Sequence, residues 1–180
     1  MKDLIEKKLE RTEIYDGKVL RVVKERVLLP HGKEADREFC LHVGAVCIIA
    51  ATDEGKILME RQYRHAHGRV FYEIPAGKLD SKSEDPKAAA ERELREETGA
   101  VAGKMTYLGH IATTPALIDE RIALFLAEEL TFGERELDDD EFLDVEAVEP
   151  SRLLDMVMKG EIEDSKTQIA ILKLARLRGI

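Results

Sequence analysis

Polar and apolar positions change their period several times along this chain. From Glu10 to about His42 they alternate, most clearly at Val19-x-Arg21-Val22-Val23 and Arg26-Val27-Leu28-Leu29, with turn signals at Asp16-Gly17 and Pro30-His31-Gly32. Such alternation predicts two or three antiparallel strands. A small sheet with no helix over one face needs another surface to bury against. Gly44 to Thr52, GAVCIIAAT, is instead a continuous apolar run of strand length, followed by the turn Asp53-Glu54-Gly55 and a second strand over Lys56 to Tyr63. That order predicts a hairpin at the centre of a sheet.

A helical period takes over between Gly77 and Ala100. Asp85 is a good N-cap, Pro86 suits the first helical position and Gly99 is a left-handed stop, so a helix is predicted over Pro86–Thr98. Strand patterns return at Met105–Thr113 and Arg121–Glu129, broken by Thr114-Pro115-Ala116. Beyond Pro150, Ser151-Arg152-Leu153-Leu154 opens a short helix, and Asp164 or Ser165 caps a last one over Lys166–Leu177 that should cover a sheet face.

The Pro86–Thr98 helix concentrates acid where a helix least favours it. Glu93, Glu96 and Glu97 project to one side, because residues three and four apart share a face. Like charges at that spacing repel by a few tenths of a kcal/mol per pair. Glu96 and Glu97 also meet the negative end of the helix dipole, at a cost of roughly 0.3–1 kcal/mol each. A hard divalent cation reverses both penalties, since it prefers oxygen ligands and bridges to phosphate. Taken alone, the acids also fit a solvated face partly neutralised by Arg92 and Arg95.

The residues around the acids decide between these readings. Arg92-Glu93-Leu94-x-Glu96-Glu97-x-Gly99-Ala100, preceded by Glu84 and Gly77, resembles the box of the Nudix hydrolases, G-x5-E-x7-R-E-U-x-E-E-x-G-U with U apolar. One extra residue lies between Gly77 and Glu84, in the loop before the helix, so the helix keeps its register. The resemblance implies an α/β fold, an α/β/α sandwich around a mixed β-sheet. It also implies metal ligation by Glu93, Glu96, Glu97 and the main-chain carbonyl of Ala76, with Glu96 and Glu97 in the catalytic centre. Gly77, Glu84, Arg92 and Gly99 are then structural, Glu84 pairing with Arg92 to brace the loop.

Within that family the chain looks like the ADP-ribose pyrophosphatases. Arg61-Gln62-Tyr63-Arg64 followed by Glu73-Ile74-Pro75-Ala76-Gly77 resembles their Q-Y/F-R…E-x-P-A-G block, and Pro115, fifteen residues beyond Ala100, stands where they carry a marker proline. Ala116 replaces the glycine that usually follows it. The likeness implies that Arg64, Arg61, Glu73 and Glu120 serve substrate binding, arginine's planar fork suiting a diphosphate. It further implies that an acid of the loop after Phe132-Gly133 orients or deprotonates the attacking water. Glu141 is the first choice, ahead of Asp140 and Asp139. Residues 1–42 then form an N-terminal antiparallel β arm exchanged across a homodimer, and 43–180 the Nudix domain. Tyr15 and Phe39 of the arm are offered for stacking on adenine.

The charge balance, 37 acids against 28 bases, argues against a nucleic-acid or anionic-membrane surface. Cys40 and Cys47 have no zinc-like spacing and read as free thiols of a reducing cytosol. His65 and His67 read as solvated. The charged start MKDLIEKKLERTE looks like neither a signal peptide nor a membrane anchor, which gives a cytoplasmic expectation. The expected activity is Mg²⁺-dependent, or Mn²⁺-dependent, hydrolysis of ADP-ribose or a related ADP-sugar to AMP and a sugar phosphate. The alternatives are another nucleoside diphosphate derivative, such as a GDP-sugar, NADH or an oxidised dNTP, and a non-catalytic ADP-ribose sensor.

Overall fold

The computed structural model describes residues 4–137 and 141–180. It divides into two compact units, one formed by the chain up to Val43 together with Ala112–Glu120, the other by Gly44–Ile111 and Arg121–Ile180.

In the first unit the alternating region folds into three antiparallel strands, β1 (Lys7–Asp16), β2 (Arg21–Leu28) and β3 (Glu34–Leu41), in that order. Period-2 patterning turns Val23, Glu25 and Val27 of β2 inward. The buried Glu25 is tolerated because Arg11 lies 2.6 Å away on β1. Among the described residues strand β1 pairs only with β2, and it is exposed at every position, including Leu9, Ile14 and Tyr15. The segment 112–120 is tied to the end of β3 by Cys40 N–H to the Leu117 carbonyl at 2.8 Å and by His42 N–H to Asp119 Oδ1 at 2.6 Å.

The second unit is built on β4 (Ala45–Ala50), all of it buried. It lies in a mixed sheet between β7 (Ala76–Lys78, antiparallel) and β9 (Ile122–Phe132, parallel), with β8 (Ala100–Ile111) antiparallel on the outer side of β9. A strand covered on both faces reads as an unbroken apolar run. Ala45, Cys47 and Ile49 pack with Leu153 of α2 (Pro150–Met158) and with Ile171 and Leu174 of α3 (Ser165–Arg178). Val46, Ile48 and Ala50 pack with Ala89, Ala90 and Leu94 of α1 (Pro86–Thr98). The result is the α/β/α sandwich around a mixed sheet.

A second sheet of the same unit holds β5 (Ile57–Arg64) between β10 (Leu143–Val148) and β6 (Arg69–Glu73). The hairpin expected of β4 and β5 therefore does not form. Both edges of β4 are taken by β7 and β9, and the ladder between the two strands is reduced to an isolated Ala51–Ile57 bridge beside the turn at Asp53-Glu54-Gly55. No helix among the described residues is long and apolar enough to cross a membrane.

Candidate active site

Helix α1 begins and ends where its sequence directs. Asp85 accepts the Ala88 N–H at 3.3 Å, and Gly99 adopts φ 72° and returns its N–H to the Arg95 carbonyl. A left-handed C-cap of this kind favours glycine. Its neighbour Gly77 serves differently, because a Cβ there would fall within the carboxylate of Glu93. The acid is thus seated directly against the backbone that follows Ala76.

Glu97 is 3 % exposed and accepts the Ala76 N–H at 3.0 Å. Arg92 binds Glu93 at 2.9 Å and Glu96 at 3.1 Å through Nη1, and through Nη2 reaches the Lys78 carbonyl at 3.2 Å and Glu84 at 3.5 Å. Glu84 in turn accepts the Asp80 N–H at 2.6 Å, closing the loop that carries the extra residue. Glu93, Glu96 and Glu97 therefore face protein partners, with the guanidinium of Arg92 spanning two of them. Among the described residues, no three His, Cys, Asp or Glu side chains are gathered closely enough to hold a metal ion as they stand.

The electrostatics of the same residues nonetheless suit a cation. Burial pushes the Glu93 carboxyl up to about 7, with Glu96 and Glu141 adding to the effect and Arg92 opposing it. Glu97 is raised further, by burial and then by the charges of Glu60 and Glu93. Glu60, on β5 and 3 % exposed, is also raised by burial and by Glu73, and its Oε1 has no hydrogen-bond partner. Crowded, desolvated carboxyls with an orphaned oxygen fit a hard divalent ion.

Next to this group, Arg64 grips Glu73 through both carboxylate oxygens, Nε to Oε1 and Nη2 to Oε2, each at 2.8 Å. Burial alone would raise Glu73, but Arg64 and Lys166 together hold it below the usual carboxylate range. Lys166 of α3 bonds Glu73 Oε2. Arg61 points elsewhere, paired with Glu146 at 2.9 Å and lying over the ring of Tyr72. Two further ties join the last turn of α1 to the segment after β9: the Gly133 N–H reaches the Gly99 carbonyl at 2.8 Å and the Glu136 N–H the Glu96 carbonyl at 3.1 Å.

A model of the NUDIX domain matches residues 41–168. The chain belongs to the Nudix family. It is 47 % identical over 173 residues to an ADP-ribose pyrophosphatase of Bacillus subtilis, covering 95 % of this chain and 93 % of that one. It is 42 % identical over 174 residues to a methanol dehydrogenase activator of Bacillus methanolicus, at 95 % and 94 % coverage. The crystal structure of an ADP compounds hydrolase superposes with a TM-score of 0.85 at 19 % identity, covering 99 % of each chain, and supports the fold. Nudix hydrolases in general act with divalent metal ions.

On this Nudix scaffold the second unit brings together Ala76, Gly77, Glu84, Arg92, Glu93, Glu96 and Glu97, with Arg64 and Glu73 paired on β5 and β6. Glu141 acts electrostatically on Glu60, Glu93 and Glu97. Asp139 and Asp140 lie outside the described residues. Glu120 belongs to the first unit, where it accepts from Thr113 at 2.7 Å and lies 3.6 Å from His42. Tyr15 is exposed and Phe39 half-buried in the same unit. His65 and His67 are exposed in a single 3₁₀ turn. Both cysteines are free, and burial raises the Cys47 thiol to about 12.

Sequence reasoning missed Glu60, Lys166 and Thr167. Glu60 sits at a polar position beside Arg61 and reads as surface. Lys166 and Thr167 read as an ordinary helix start, and only their burial beside β6 reveals them.

Proposed function

We propose that the protein hydrolyses the diphosphate of ADP-ribose, giving AMP and ribose 5-phosphate, with Mg²⁺ held by Glu93, Glu96, Glu97 and the carbonyl of Ala76. The observation that carries this reading is the seating of Glu93 against Gly77, beside Ala76 and the buried Glu97. When bound, the metal polarises phosphoryl oxygens and lowers the pKa of a bound water. The chain's own residues do the rest. Arg64, held flat by Glu73, offsets charge on the diphosphate. Glu141 orients the attacking water and takes its proton, and Arg92 and Glu84 brace the loop that aims Ala76. Glu96 must leave Arg92 to ligate, a rotation open to a side chain in the last turn of a helix.

The near-complete length match to the B. subtilis relative supports ADP-ribose over the GDP-sugar, NADH and oxidised dNTP alternatives. Retention of Glu93, Glu96 and Glu97 together weighs against a non-catalytic sensor. We also propose that residues 1–42 form an arm exchanged between two copies in a homodimer, since β1 leaves Ile14 and Tyr15 exposed on a strand with one open edge. Two unpaired cysteines agree with a cytoplasmic protein.

The test is release of the nucleoside monophosphate (AMP, GMP or 8-oxo-dGMP) from ADP-ribose, ADP-glucose, GDP-mannose, NADH and 8-oxo-dGTP, with Mg²⁺ and with EDTA, compared by kcat/KM. Metal-dependent preference for ADP-ribose is expected, and preference for another compound would overturn the substrate assignment. Light scattering at micromolar concentration should give a dimer, and a monomer would remove the exchanged arm. The resemblance to the B. methanolicus relative favours a second reading, activation of a dehydrogenase. Adding the chain to a methanol dehydrogenase and following its rate tests that directly.

A further inference from the structure

The first turn of α3 grips the end of β6 at two points. Lys166, 9 % exposed, bonds Oε2 of the buried Glu73, and Asp164 Oδ2 lies 3.1 Å from the same ammonium. Thr167, fully buried, accepts the N–H of Ile74 at 3.0 Å and donates its hydroxyl to Asp164 at 2.6 Å. Asp164 also caps the helix through the Thr167 N–H at 2.9 Å. A lysine so deeply buried is costly unless it is paired and hydrogen-bonded, and here it has a carboxylate on either side.

This arrangement constrains Arg64. A fork-to-fork pair is coplanar, so the plane of the Glu73 carboxylate sets the plane of the guanidinium. Arg64 alone would leave that carboxylate free to turn, carrying the guanidinium with it. Lys166, attached to Oε2 from another element, pins the plane. The guanidinium side chain is 40 % exposed while that of Glu73 is 4 % exposed, so a rigid buried base carries an accessible cation.

We propose that Lys166 is a positioning residue for the substrate's diphosphate: through Glu73 it fixes the orientation in which Arg64 meets the phosphates, with Thr167 holding the adjoining main chain. The inference rests on the reading of Arg64 as a diphosphate ligand. It assigns to the last helix, whose sequence shows only a capped amphipathic start, a part in substrate affinity.

The experiment compares wild type, K166M, R64A and the double variant R64A/K166M. K166M should raise KM for ADP-ribose about tenfold while leaving kcat within about threefold, as expected for a misaligned binding group. On the R64A background K166M should change KM by less than about twofold, because the residue it aligns is gone. A K166M enzyme with lowered kcat and unchanged KM, or one whose KM effect persists undiminished in R64A, would overturn the proposal. If K166M does not fold, E73Q makes the same cut from the other side and should show the same KM rise and the same loss of effect in R64A. Calorimetric binding of ADP separates this inference from the activity itself. Should the wild type fail to hydrolyse ADP-ribose yet bind ADP, a weaker K166M complex upholds the role of Lys166. Equal binding by the two proteins, or no ADP binding by either, refutes it.

Discussion

The carboxylate of Glu93 occupies the space that a Cβ on Gly77 would need. Glycine is required there by close approach rather than by backbone angle, since Gly77 is absent from the positive-φ positions. In G77A the methyl group forces Glu93 out of its seat. The expected result is a folded protein, destabilised by about 1–3 kcal/mol, whose kcat/KM falls by about a hundredfold or more. Mn²⁺ titration calorimetry should show the weakened metal site independently of turnover, and undiminished Mn²⁺ affinity would refute the seat.

Glu97 gives a contrast between stability and activity. Burial, then the charges of Glu60 and Glu93, push this carboxyl up to about 10, so at pH 8 the folded protein keeps it protonated at a cost the ionised unfolded chain does not bear, and a permanently neutral isostere removes that cost. E97Q should therefore raise the melting temperature of the metal-free protein at pH 8 while lowering kcat by about a thousandfold, the cost of losing charge where it stabilises the transition state. Thermal melts in EDTA and steady-state rates in Mg²⁺ check the two halves. A variant that is both less stable and fully active would contradict the placement of this acid.

Stability should also depend on pH in an unusual direction. The Glu93 carboxyl titrates at about 7 in the folded protein against 4.5 for an ordinary glutamate, so the folded state holds the proton more tightly than the unfolded chain. Below pH 4.5 both states are protonated and nothing changes. Between 4.5 and about 7 the metal-free protein should lose stability as the pH rises, with Glu60 and Glu97 carrying the loss further into the alkaline range. A divalent cation selects the deprotonated acids and should flatten or reverse the trend. Melting temperatures at pH 5, 6, 7 and 8, in EDTA and in Mg²⁺, measure this. A flat profile in EDTA would show that the acids of α1 are not crowded in solution.

T167V removes the hydroxyl that accepts the Ile74 N–H while keeping the side chain's shape. A buried backbone donor left without a partner costs about 1–3 kcal/mol, and urea denaturation should show a loss of that size. A change below about 0.5 kcal/mol would mean that the clamp between α3 and β6 is weak.

Helix α1 was legible residue by residue, because its cap, its first proline, its terminal glycine and its acids all act within one turn of where they stand. The strands were legible as strands for a similar reason, alternation and apolar runs being local. Their pairing was not. The turn at Asp53-Glu54-Gly55 looks like a hairpin, yet the edges of β4 were claimed by β7 and β9, the latter more than seventy residues downstream. The same limit hid Lys166. Its partner Glu73 is 93 residues away, and nothing near a lysine in a capping sequence indicates that it will be buried. Glu60 was concealed in a different manner, by standing next to genuinely exposed Arg61 in a strand whose faces change character midway.

The carbonyl of Glu96 is one that a helix normally leaves to water, and here it receives the Glu136 N–H. Further along the chain, Leu143 is fixed opposite Gln62 in β10 and β5. Six residues of sequence, 137–142, therefore separate two fixed points, one of them bonded to the last turn of α1. Each added residue extends the span a chain can bridge between such points by at most about 3.3–3.6 Å. In the proposed mechanism the reach of Glu141 toward the water is thus set by a residue count, and it can be altered by insertion or deletion without touching a proposed metal ligand.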